Sequence, residues 1–247
     1  MSAPPAFAAD PSARPWGLAA TFGFGLVFWY TFVLVQAAML LGVGGLYGAL
    51  GIDDDLPMDP HGFTFSLVTC ATSVICGALA MSAASLRVGL GMRDYLGLQP
   101  APSGVMLRWL LVALLVVLQL DLVNYLVKGE IAPAQWVETY RSAWLVPLFW
   151  FALLVAAPVF EEIVFRGFLF AGIQGSRLGG RGAVAITALL WTLLHGHDDP
   201  LDLMATLIFA VVLGIARLRT GSIRVSCAMH ALSNLVSLIG LAAIAGE

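Results

Sequence analysis

The chain has 247 residues, 60% of them hydrophobic and 11% charged, with a formal net charge of −3 and a mean hydropathy of +0.92. A soluble domain carries about 25% charged residues, so this balance excludes an ordinary soluble globule and fits a polytopic membrane protein. No basic run is present, which argues against a nucleic-acid partner. Cys70, Cys76 and Cys227 all fall in apolar runs without CxxC spacing, which argues against a disulfide framework or a zinc–thiolate site.

Residues 1–16 are rich in Ala and Pro and lack a basic segment leading into a compact apolar core. They read as a disordered cytoplasmic tail. A spanning helix needs about 20 mostly apolar residues, and seven candidates follow, at about 18–50, 63–86, 105–127, 143–173, 183–195, 201–218 and 223–245. The first is longer than one bilayer crossing and the fifth is short. Between the second and third, Gly91 to Leu98 reads as a short interfacial helix ended by Gln99-Pro100-Ala101-Pro102. The expected fold is all-α: a polytopic transmembrane bundle of about seven spans, forming one domain over 17–247.

Arg14, Arg87, Arg93, Arg108, Arg177, Arg181, Arg217, Arg219 and Arg224 share one side of a seven-span layout. The opposite connections hold only Lys128 and Arg141, with Asp53, Asp54, Asp55, Asp59, Glu130, Glu138, Asp198, Asp199 and Asp202. The positive-inside rule therefore puts the N-terminus in the cytoplasm and the C-terminus outside. This is the layout expected of a multi-pass protein of a bacterial inner membrane.

Ionisable residues inside a span are costly and mark functional sites by default. The fourth span holds three: Glu161, Glu162 and Arg166. Glu162 and Arg166 are spaced i,i+4 and meet on one helix face, so they can neutralise each other. Glu161 is turned about 100° away and is available to face a cavity. Pro158 removes a backbone donor just before them and exposes a carbonyl, and Gly167 lets another helix approach closely. His195 ends the fifth span with Trp191 one turn below, and His230 and Asn234 share a face of the seventh. His197, beside Asp198 and Asp199, reads as a loop residue. Asp121 lies toward the outer end of the third span and is left out of the site. Each cluster has a plain structural reading: a buried ion pair, a helix-end histidine, a helix–helix hydrogen bond.

Depth joins the clusters. Glu161 lies 13 residues from Gln174 and His195 lies 13 beyond Gly182, about 20 Å from the arginine-rich side in each case. His230 lies nine residues beyond Gly221, about 14 Å in. Three spans thus bring polar groups to one level of a core about 30 Å thick, which favours a site.

Glu161-Glu162-x-x-x-Arg166, Trp191-x-x-x-His195 and His230-x-x-x-Asn234, in that order, resemble the three-motif signature of the CPBP family of intramembrane proteases. That family includes type II CAAX prenyl endopeptidases and Abi and bacteriocin-immunity proteins. Gly221-Ser222-Ile223 and Tyr95-Leu96-Gly97-Leu98 are also similar to the family. Trp191 departs from it, since Phe is more usual there, and the swap of one aromatic for another is expected to change little. The resemblance implies hydrolysis of a peptide bond of a membrane-associated protein or peptide. Glu161 would be the general base on a water, His195 would hold that water, and His230 and Asn234 would donate to the oxyanion. Arg166 would hold Glu162. Members are also described as metalloproteases, and Glu161, His195 and His230 offer a zinc ligand set of one oxygen and two nitrogens, with Glu162 then the base. No HExxH helix is present to support zinc. A non-catalytic immunity or scaffold protein is the alternative, followed by a proton-coupled transporter, for which no inverted repeat is visible.

Overall fold

The computed structural model describes residues 14–51, 61–196 and 198–246. Asp53, Asp54, Asp55, Asp59, His197 and residues 1–13 of the expected tail lie outside the described residues. The described residues form nine helices and no strand. They are α1 (Leu18–Leu50), α2 (His61–Ser85), α3 (Met92–Leu96), α4 (Ser103–Lys128), α5 (Ala134–Arg141), α6 (Val146–Gln174), α7 (Gly179–Leu194), α8 (Pro200–Thr220) and α9 (Ile223–Ala245). Six of them, α1, α2, α4, α6, α8 and α9, are long and apolar enough to cross a membrane, and α7 is a shorter apolar helix. The protein is therefore an all-helical, multi-pass integral membrane protein. An all-helical build follows from the solvent, because lipid offers no partner to an unpaired backbone N–H or C=O.

The apolar runs set the helices, and local chemistry ends them. Asp199 caps α8, its side chain accepting from the Leu201 and Asp202 amides with Pro200 in the first turn. Gly221, at φ 69°, ends the same helix in the left-handed region. Ser222 then caps α9 through the Arg224 amide at 3.2 Å. The turn from α8 to α9 is tied to the link after α3: Ile223 N–H donates to the Gly97 carbonyl at 2.9 Å, and the Ser222 hydroxyl donates to the Gln99 carbonyl.

The core gathers on α6. Phe168 is fully buried, with Phe28 at 5.0 Å, Tyr95 at 5.3 Å and Phe24 at 5.6 Å between ring centres. Gly172 sits against Thr21 so closely that a Cβ would overlap that side chain. Gly167 also serves a close approach, but to the short α3 rather than another span: a Cβ there would lie 3.1 Å from Leu96 Cδ2. α4 packs against α9 and α8, and α7 lies along α8.

Three features differ from the sequence expectation. α7 starts at Gly179, because the small Gly180 lets this end of the helix press against Leu218. α5 is an additional helix, too short and polar to read as a span, whose Val137 packs with Phe149 and Leu238. The segment read as a tail ends in packed residues: Pro15 is buried, and the Trp16 indole donates to the Ala83 carbonyl at 3.0 Å.

Candidate active site

The fourth spanning helix is not regular. It passes through two π-helical stretches, Ala152–Ala156 and Ile163–Leu169, and the single α-helical stretch Ala157–Glu162 between them carries both glutamates. π-turns add a residue to a turn and are frequent at functional sites. They also strand carbonyls, and in lipid each must find a donor. Ala157 N–H reaches back five residues to the Ala152 carbonyl. The next donor in that register belongs to position 158, where proline has no N–H. The Leu153 carbonyl is left over, and Asn234 Nδ2 from α9 donates to it at 2.7 Å. At the second turn Phe170 N–H reaches back five residues to Phe165. The next carbonyl along, that of Arg166, accepts from Arg217 Nε of α8 at 2.9 Å.

Glu162 and Arg166 are both completely buried, with Nη1 and Oε1 3.0 Å apart. Arg166 also donates through Nη2 to the Ala210 carbonyl of α8 at 3.0 Å, and its guanidinium lies 4.9 Å from the Trp191 ring centre. His230 Nδ1 lies 3.3 Å from the same Glu162 oxygen, and its Nε2 lies 4.0 Å from Glu161 Oε2. The Glu161 side chain is 21% exposed, and its Oε2 accepts from Trp191 Nε1 at 2.6 Å. Two carboxylates thus face one guanidinium with an imidazole between them.

Trp191 organises the remaining ring contacts. The His195 ring lies 4.1 Å from it and the His230 ring meets it edge-on at 5.4 Å. His195 Nδ1 is 2.8 Å from the Trp191 carbonyl. A carbonyl only accepts, so Nδ1 is the donor in this contact.

The structure brings Glu161, Glu162, Arg166, Trp191 and His230 together, with His195 joined through Trp191. Asn234 is directed elsewhere: its amide serves the main chain of α6. Among the described residues no three His, Cys, Asp or Glu side chains are grouped to hold a metal ion. Glu161 and His230 approach to 4.0 Å, and no step of the reaction is routed through zinc. An apolar cavity of about 400 Å³ lies between α6 and α9, lined by Pro158, Val159, Ile163, Cys227 and Ala231 among others. The glutamates and His230 are not among its lining residues.

Two contributors escaped the sequence reading. Trp191 is more than a neutral aromatic swap, because its indole N–H gives Glu161 a partner that phenylalanine lacks. Arg217 counts by sequence among the arginines of the basic side, at the end of the sixth span, yet it is only 5% exposed. Its signal was available, since it stands one turn before the helix-ending Gly221.

Residues 143–236 match the family model described as Type II CAAX prenyl endopeptidase Rce1-like. The segment is thus similar to the family that the three motifs resemble. It covers less than half of the chain, yet it runs from just before α6 to just after Asn234 and encloses every residue of the cluster. The match is a similarity to a protease family over the part of the chain that carries the site. No curated protein and no solved structure matches the chain.

Proposed function

We propose that this Rce1-like protein is an intramembrane endopeptidase that hydrolyses a peptide bond of a membrane-associated protein or peptide. The observation that carries this reading is Glu161, a carboxylate that is 21% exposed, held from one side by Trp191 Nε1 at 2.6 Å, and set beside a fully buried Glu162–Arg166 pair. A buried pair balances itself, so Glu161 is the carboxylate left for chemistry. It takes a proton from a water as the water oxygen attacks the scissile carbonyl carbon. His230 Nε2, 4.0 Å from Glu161 Oε2, is placed to stabilise the developing oxyanion. Glu161 then returns its proton to the leaving amine as the C–N bond breaks. His195, its ring 4.1 Å from that of Trp191, helps to hold the water. The Asn234 amide, occupied by Leu153, supports the helix rather than the oxyanion. The basic connections support an N-terminus on the cytoplasmic side of a bacterial plasma membrane.

The test is a purified protein in liposomes with membrane-tethered peptides, read by mass spectrometry in H₂¹⁸O. The expected result is one ¹⁸O in the new carboxyl terminus with wild type and none with Glu161→Gln. Wild-type turnover by Glu161→Gln would overturn the assignment.

A further inference from the structure

We infer that Arg217 is a positioning residue of the site, acting through the backbone of Arg166. The inference rests on the peptidase reading for its catalytic consequence, but its structural half stands alone.

Arg217 and Arg166 form a reciprocal clasp between α8 and α6. Arg217 Nε donates to the main-chain carbonyl of Arg166 at 2.9 Å, and Arg166 Nη2 donates to the main-chain carbonyl of Ala210 at 3.0 Å. Ala210 and Arg217 are seven residues apart on α8, two turns along one face. Arg166 is therefore fixed by α8 at its backbone and at its side chain together. From there the positions follow in series: Arg166 holds Glu162 at 3.0 Å, Glu162 holds His230 at 3.3 Å, and His230 stands 4.0 Å from Glu161.

The surroundings are shaped to keep Arg217 in place. Its guanidinium carbon lies 5.4 Å from the Phe170 ring centre, one residue past the π-turn. On its other side is Gly97, at φ 71°, where an added Cβ would lie 2.5 Å from Arg217 Nη2. Glycine is thus required at 97 twice, for its backbone conformation and for the space it leaves. Burying a guanidinium is costly unless its hydrogen bonds are used. Here one of them satisfies the carbonyl that the π-turn strands. Without it the extra residue of the turn is free to shift along the helix, and each residue it passes, Arg166 among them, turns by about 100° relative to Glu162.

The experiment uses the full chain in detergent micelles and in liposomes, with Arg217→Met and Arg217→Lys. Amide hydrogen exchange is followed by mass spectrometry, and kcat and KM are measured separately. For Arg217→Met, exchange over 163–171 is expected to rise about tenfold, the equivalent of one net hydrogen bond, with α2 and α4 unchanged. In the same variant kcat falls at least about tenfold while KM stays within about twofold, as for a group that acts only in the transition state. Arg217→Lys is expected to lie between wild type and Met in both readouts, and it carries the test if Met does not fold. Unchanged exchange over 163–171, or an equal rise in α2 and α4, overturns the positioning role. A local rise with unchanged kcat overturns its catalytic consequence. If wild type cleaves no peptide, the peptidase reading fails by itself and exchange still decides whether Arg217 sets the turn.

Discussion

Trp191 Nε1 lies 2.6 Å from Glu161 Oε2, closer to it than the 4.0 Å of His230 Nε2. An N–H donated to a charged acceptor is worth about 1.5–3 kcal/mol. Trp191→Phe removes the donor and keeps a ring to pack against His195 and His230. Glu161 then loses its fixed orientation, and kcat is expected to fall about tenfold to a hundredfold, with KM little changed. Steady-state cleavage in liposomes checks this, and an unchanged kcat would show that the indole nitrogen has no part in placing the carboxylate.

The two glutamates are separable by stability. Glu162→Gln leaves the fully buried Arg166 without its counter-charge, and breaking a buried pair from one side costs about 3–5 kcal/mol. Glu161→Gln keeps an oxygen for Trp191 and is expected to change stability by less than about 1 kcal/mol. Thermal unfolding in detergent should therefore show a large loss for Glu162→Gln and little for Glu161→Gln, while cleavage is lost in Glu161→Gln. A Glu161→Gln protein as unstable as Glu162→Gln would contradict this division of roles.

Much of this arrangement was legible in the sequence, because its signals are local. Apolar runs of about 20 residues mark spans, and the i,i+4 spacing of Glu162 and Arg166 already paired them. The partner of Asn234 was hidden for a definite reason. Which carbonyl Pro158 strands depends on hydrogen-bond register, and the sequence carries no sign that α6 enters a π-turn at Ala152. The role of Arg217 was hidden by the second π-turn, Ile163–Leu169: its acceptor is the backbone of Arg166, and a backbone atom has no residue type to recognise. Trp191 was misjudged because hydropathy counts a ring and overlooks its one N–H.

The outer end of the bundle carries a pH-dependent tie. Lys128 Nζ at the end of α4 lies 3.0 Å from Asp199 and 2.7 Å from Asp202, across the turn from α7 to α8. The Lys128 hydrogen bond holds the Asp199 carboxyl below its usual range. A carboxyl lowered on folding stabilises the fold above its unfolded value of about 3.9, and that contribution is lost as pH falls through the lower folded value. Lys128→Met should therefore melt below wild type at pH 7, and the gap should close as the pH falls through that lowered value or in about 1 M salt. Melting curves across pH check this. A gap that is constant into acid would assign the effect of Lys128 to its apolar stem instead.

Asn234 offers the sharpest separation of structural from catalytic work. Its amide satisfies the Leu153 carbonyl that Pro158 leaves without a donor. Asn234→Ala strands that acceptor inside a span and is expected to cost about 1–3 kcal/mol. Pro158→Ala restores an N–H at the position that can reach Leu153. Added to Asn234→Ala, it should recover most of the loss, so the two changes couple by about 1–2 kcal/mol in a double-mutant cycle. Cleavage measured on the same four proteins then decides the role of the amide. If Asn234 serves the helix, Pro158→Ala restores kcat together with stability. If stability returns while kcat stays low, the Asn234 amide acts on the substrate, and its bond to Leu153 must open during turnover.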